Sequence, residues 1–118
     1  MDPKLLSGTL DLMILETLAP APSYGYEITQ AVLSQSSGQI ELKEGSLYPA
    51  LHRLERGKFL KSFWQEFEGR RRKYYQITAA GLKLLHKKRN EWTAFSDAVN
   101  GVLGVKRSIG LNVDSLAP

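Results

Sequence analysis

Apolar residues recur at helical spacing from about residue 5 to residue 18. Leu6, Leu10, Met13, Ile14, Thr17 and Leu18 form a broad stripe, which predicts a first helix with a thick buried face. Ala19-Pro20-Ala21-Pro22 ends it, because proline has no N–H for the ladder and restricts the residue before it. Ser23 is placed to cap a second helix that uses Ile28, Val32 and Leu33 as its apolar contacts, with Tyr24 near its start and Ser34-Gln35-Ser36-Ser37-Gly38 as its stop. Ile40 and Leu42 flank Glu41, the alternation of a very short edge strand. From Glu44 to Arg56, Leu47, Leu51 and Leu54 return after four and three residues, so a short third helix buries one side and closes at Gly57.

The period then changes to two. A tight turn at Glu68-Gly69 sets Phe67 opposite Arg70, Trp64 opposite Lys73, Ser62 opposite Tyr75 and Leu60 opposite Ile77. One face of this hairpin carries Leu60, Trp64, Tyr75 and Ile77 toward a core, and the other carries Lys61, Phe63, Arg70, Arg72 and Tyr74. Two strands alone are marginal, so the apolar face must lean on the helices. Thr78 is placed to cap a last helix that starts at Ala79, along which Leu82, Leu85, Arg89, Trp92, Ser96, Val99 and Leu103 alternate at three and four residues. That is a heptad seam with two polar interruptions. At about 25 residues the helix spans about 37 Å, more than three short helices cover, so part of the seam calls for a second subunit. The expected organisation is an α+β chain, mostly α: a winged helix-turn-helix over residues 1–78, a dimerisation helix over 79–104 and a flexible tail over 105–118.

Charge sharpens the picture. Residues 1–42 carry one basic and five acidic side chains, whereas residues 43–92 carry thirteen basic against five acidic. The positive field is thus concentrated on the third helix, the hairpin and the start of the last helix, as binding to a polyanion requires. The 118 residues suit one small domain plus a long helix. Absence of cysteine removes disulfides, thiolate metal sites and thiol catalysis. No apolar run approaches the roughly 20 residues of a membrane span, and the start lacks a basic segment followed by an apolar one, so a cytoplasmic location without membrane contact is expected.

Helix, helix, short helix and basic hairpin is the order of a winged helix-turn-helix, in which the short helix enters the major groove and the hairpin straddles the neighbouring backbone. Four segments then occur in a telling order: Tyr24-Gly25-Tyr26-Glu27-Ile28; Gly45-Ser46-Leu47-Tyr48-Pro49 followed by Leu51 and Arg53-Leu54-Glu55; Gly69-Arg70-Arg71-Arg72-Lys73-Tyr74-Tyr75; and Thr78 with Gly81. Over roughly residues 5–90 the chain resembles the PadR family of bacterial transcriptional regulators, in particular its compact members without a large C-terminal domain. The resemblance implies an effector-responsive repressor that binds palindromic double-stranded DNA as a homodimer, joined mainly through the last helix with help from the first.

The expected DNA contacts are Arg70, Arg71, Arg72 and Lys73 on the wing and Lys43, Ser46, Tyr48, His52, Arg53 and Lys58 on or beside the third helix, most of them able to meet phosphate. Arg53 has a competing use as the partner of Glu55 or another acid. Leu6, Leu10, Leu85, Arg89, Trp92, Ser96, Val99 and Leu103 are the expected dimer contacts. Trp92 has two readings: a seam residue covered by the other subunit, or, since the resemblance to small multidrug-sensing members includes a tryptophan fourteen residues beyond the helix-opening threonine, a platform for a planar aromatic effector with Phe95, Ser96 and Val99 beside it. His52 and His86 fall far apart, and Asp11, Glu16, Glu27 and Glu55 lack metal-ligand spacing, so neither an enzyme nor a metal or cofactor is expected. The alternative class is a winged-helix adaptor that binds protein rather than specific DNA.

Overall fold

The structure, a computed structural model, describes residues 2–105. Its elements run α1 (Pro3–Leu18), β1 (Ser23–Tyr24), α2 (Gly25–Gln35), α3 (Glu44–Arg56), β2 (Leu60–Phe67), β3 (Arg70–Ile77) and α4 (Ala79–Leu103). The three strands form one antiparallel sheet in the order β1-β3-β2. This is the expected mostly helical α+β architecture. Residues 106–118, most of the expected tail, lie outside the described residues.

α1 starts earlier than its apolar stripe, because the Asp2 carboxylate accepts from the Lys4 N–H at 2.8 Å and Pro3 fits a first turn that needs no donor. It packs on α2, α3, β3 and α4. Leu10, Ile14, Leu15 and Leu18 meet Ile28 and Val32 of α2 and Leu47, Ala50, Leu51 and Leu54 of α3 in a single core that Leu60, Tyr75 and Leu85 close.

Two local expectations change. Ser23 is not a helix cap: with Tyr24 it forms β1, paired to Tyr75 and Tyr74, and Tyr24 becomes the N-cap residue of α2. The Tyr24 N–H is satisfied by Glu27 Oε1 at 3.2 Å. Ile40 and Leu42 form no strand; Leu42 is buried and Ile40 half-buried against the helical core, so their alternation reflects side-chain burial without a backbone ladder.

The hairpin has the expected register at every pair from Leu60 with Ile77 to Phe67 with Arg70. Glu68 (φ 52°) and Gly69 (φ 75°) both occupy the left-handed region, the twist that suits a two-residue hairpin turn. Only the base of this ribbon reaches the core, so Leu60 and Tyr75 are buried while Trp64, expected inside, is 56% exposed. Its ring meets a cation instead, with the Arg71 guanidinium 5.1 Å from the centroid.

Gly57 ends α3 in an ordinary helical conformation, and the left-handed residue is the next one, Lys58 (φ 64°). Thr78 caps α4, accepting from the Gly81 N–H at 3.1 Å and donating to the Lys58 carbonyl at 2.8 Å, which pins the end of α3 to the start of α4. Leu85 packs into the core; farther along, Trp92, Phe95, Val99, Val102 and Leu103 are exposed, and Gly104 (φ 73°) closes the helix. The described chain is accordingly elongated, 58 × 27 × 26 Å.

Candidate nucleic-acid interface

α3 turns Leu47, Ala50, Leu51 and Leu54 inward. At 3.6 residues per turn, Gly45, Pro49, His52 and Arg56 then form the ridge opposite the core, and all four are exposed. Gly45 has open space where a Cβ would stand, so the start of this ridge presents bare backbone. Arg56 was absent from the expected contacts although the same periodicity places it one turn beyond His52. Ser46 is exposed beside this ridge.

Tyr48 lies to one side, over α2. A Cβ on Gly25 would come within 2.2 Å of its hydroxyl oxygen, so the Tyr-Gly contact sets how closely the two helices of the helix-turn-helix approach. Arg53 lies toward α1, donating to Asp11 Oδ1 at 2.5 Å rather than to Glu55. Lys43 meets Glu41 at 3.0 Å, with both side chains largely in water, where such a pair is weak. Lys58 is exposed immediately after α3.

Glu55 connects α3 to the wing. One carboxylate oxygen accepts from Ser62 Oγ and the other lies 3.7 Å from Lys73 Nζ, which also sits 5.4 Å from the Tyr75 ring centroid. Burial raises the Tyr75 phenol pKa above its ordinary value, and the negative charge of Glu55 and then Tyr48 add to it.

The four successive cations of the wing therefore have different surroundings. Lys73 faces α3, Arg71 stacks on Trp64, and Arg70 is exposed next to the turn. Arg72 is half-buried with its guanidinium 4.4 Å from the Tyr24 ring centroid and 5.8 Å from that of Phe67. The same face continues across the sheet, with Tyr24 edge-on to Tyr74 at 5.4 Å and Phe63 stacked on Tyr74 at 5.6 Å. Desolvation raises the Tyr74 pKa, Glu27 and then Tyr24 add to it, and the Arg72 charge opposes them.

A second region lies between α1 and α4. Leu10 and Leu85, expected between subunits, are buried within the subunit's own core, and Arg89 donates to Glu16 of α1 at 3.0 Å. Leu6 is half-buried. Trp92, 47% exposed, borders an apolar cleft of about 390 Å³ formed with Leu5, Leu6, Leu12, Met13 and Ile40. It also borders a more polar cleft of about 540 Å³ that contains Glu16, His86 and Arg89. Phe95 adjoins Trp92 in a smaller cleft against Gly8 and Thr9, while Ser96, half-buried, and exposed Val99 follow about one and two turns along α4.

A helix with one exposed ridge, tied through Glu55 to a cationic antiparallel hairpin and backed by two further helices, defines a winged helix-turn-helix, a class of DNA-binding domain. The sequence pattern of the Transcriptional regulator PadR-like family matches residues 14–87. The chain belongs to that family and is a DNA-binding transcriptional regulator rather than an enzyme. It is similar to a transcriptional regulator from Clostridium thermocellum (36% identity, TM-score 0.78, covering 83% of this chain and 96% of that one). It also resembles a PadR family transcription regulator from Clostridium difficile (35%, TM-score 0.69, 80% and 98%) and a PadR-like regulator from Bacillus cereus (31%, TM-score 0.74, 87% and 99%). A Lysinibacillus sphaericus protein of uncharacterised function is 30% identical over 97 residues, 81% of this chain and 89% of that protein. Among the described residues no helix is long and apolar enough to cross a membrane.

Proposed function

We propose that the protein is a homodimeric repressor that reads a palindromic operator with α3 in the major groove and the wing on the flanking backbone, and that a flat aromatic compound bound at Trp92 between the subunits releases it. The observation that carries the DNA reading is the Glu55 link, which holds the exposed α3 ridge beside the cationic hairpin. Ser46, His52 and Arg56 are the α3 groups proposed to face bases or phosphates, with Arg70, Arg71 and Lys58 on the backbone around them. Tyr48 contributes through its seat on Gly25, and Lys43 and Arg53 through heads that exchange their carboxylate partners, Glu41 and Asp11, for phosphate.

The dimer reading rests on the exposed Phe95, Val99, Val102 and Leu103 of α4, too much apolar surface on one helix for a lone subunit. The effector reading rests on the exposed Trp92 indole and the apolar cleft beside it, whose volume is at the small end of ligand sites. Release follows only if the ligand prefers a subunit arrangement that DNA does not.

Anisotropy of labelled duplexes selected from random DNA by the protein tests the reading. Selection of a palindrome is expected, with an affinity that falls steeply with salt as condensed counterions are released. Recovery of no preferred duplex, or binding insensitive to salt, defeats it.

A further inference from the structure

Arg72 differs from its neighbours on the wing. Its Nε is buried and has no hydrogen-bond partner among the described residues, yet the guanidinium carbon lies over Tyr24, 4.4 Å from the ring centroid, with the Phe67 ring 5.8 Å away on the other strand. A cation over the faces of two aromatic rings, each within about 6 Å, is held by their quadrupoles, and the planar guanidinium suits that seat better than an ammonium does.

The two rings belong to different parts of the molecule. Phe67 immediately precedes the hairpin turn and is paired with Arg70. Tyr24 is both half of the two-residue strand β1 and the N-cap residue of α2, where its N–H binds Glu27. On this side, among the described residues, the strand pairing of the hairpin with the helix-turn-helix consists of two residue pairs, Ser23 with Tyr75 and Tyr24 with Tyr74. A ribbon so briefly anchored bends easily unless side chains brace it.

We infer that Arg72 is a positioning residue: by bridging Tyr24 and Phe67 it sets the angle of the wing against the helix-turn-helix, and so the distance from Arg70 and Arg71 to α3, without itself neutralising a phosphate. The inference rests on the proposed use of α3 and wing together. It assigns two cations on the same face of the strand different tasks, since Arg70 acts by charge and Arg72 by shape.

The test uses the full-length protein, a fluorescent duplex selected by the wild type from random DNA, a salt series, and hydrogen exchange on the DNA-free protein. Replacing a phosphate contact lowers the slope of log affinity against log salt by about 0.9. Arg70→Gln is expected to do so and to leave amide exchange unchanged. Arg72→Gln is expected to weaken binding on the order of tenfold with the wild-type slope, while exchange speeds up in the β1–β3 amides and not in α1 or the base of α4. Arg72→Lys, which keeps the charge, is expected to behave like Arg72→Gln. Tyr24→Leu should match both, Tyr24→Phe should restore wild-type binding because it keeps the ring, and the Tyr24→Leu, Arg72→Gln double variant should be no worse than either single change.

A slope reduced by about 0.9 in Arg72→Gln, with affinity retained in Arg72→Lys and exchange unaltered, overturns the inference and makes Arg72 a phosphate contact. Faster β1–β3 exchange with unchanged DNA affinity overturns it as well, because the wing angle then has no bearing on binding. If no duplex is selected, or if Arg70→Gln and an Arg70, Arg71 double variant both bind as the wild type does, the α3-and-wing reading fails separately; the exchange experiment still decides whether Arg72 braces the hairpin.

Discussion

A Cβ placed on Gly25 would stand 2.2 Å from the Tyr48 hydroxyl oxygen and 2.8 Å from Cζ, and one on Gly81 would stand 2.2 Å from the Phe59 carbonyl oxygen. The obstacles differ in kind. Tyr48 is a side chain that can swing aside, so Gly25→Ala should cost about 1–3 kcal/mol in denaturant unfolding, the usual penalty of overpacking, and much of that cost should vanish in a Tyr48→Ala background. Phe59 presents backbone, and its carbonyl also accepts from Thr78 N at 3.0 Å where α4 begins. Gly81→Ala should therefore be the more damaging change, with no side-chain truncation that rescues it; equal costs for the two substitutions would contradict this geometry. Tyr74 and Tyr75 provide a pH signature. Their folded pKa values are raised above 10.0, chiefly by desolvation, so the neutral phenols contribute stability that is complete below the unfolded value and is lost as pH rises through the folded values. Unfolding free energy is expected to decline in the alkaline range, and Tyr75→Phe to flatten that decline. A decline of the same steepness in Tyr75→Phe would locate its cause elsewhere.

Among the elements, the wing is the one whose geometry local chemistry controls most closely. Its turn holds Glu68 at φ 52°, a region where an L side chain crowds its own backbone. Asparagine tolerates that conformation and, followed by glycine, favours this turn. Glu68→Asn is expected to raise stability by roughly 0.5–1 kcal/mol, whereas Glu68→Gln, which removes the charge alone, should leave it nearly unchanged. Equal stabilisation by both would make the effect electrostatic. The hairpin register was legible in advance because a two-residue turn and a period of two leave one pairing. The identity of β1 was not, since Ser23 and Tyr24 form a strand only when β3 lies alongside. A serine following proline carries the same local signal whether it caps a helix or joins a sheet.

At the scale of the whole molecule, α4 sets the long dimension. Its first turns are covered by α1 and β3, and its second half carries an uncovered apolar stripe. Phe95→Asp with Val99→Asp alters two exposed residues, so the subunit should keep its helical circular dichroism while sedimentation shifts from dimer to monomer. Affinity for a palindrome should then fall toward that for one half-site. A dimer that survives both charges would place the interface elsewhere. The clefts beside Trp92 supply a companion measurement on the wild-type assembly. Saturable quenching of its indole by planar dyes, lost in a Trp92→Ala protein that remains dimeric, is the expected result; equal dye affinity in both proteins would restrict Trp92 to packing.

The number and order of the helices, the hairpin register, the Thr78 cap and the segregated charge are dictated by the sequence alone, because each depends on periodicity, on residues a few positions apart or on covalent geometry. The ordered Tyr24–Ile28, Gly45–Pro49 and Gly69–Tyr75 segments carried the family in the same way. What only the tertiary structure decided is which side chains remain free to act. Arg53 finds Asp11, 42 residues away, Arg89 finds Glu16, 73 residues away, and Arg72 finds Tyr24 through a strand that exists only after folding. Leu10 and Leu85 turn inward and Trp64 outward because burial depends on how far each element overlaps its neighbours. Four cations in a row look alike along the chain, but alternation sends Arg70 and Arg72 to one face and Arg71 and Lys73 to the other, and the neighbours each one meets give it different work.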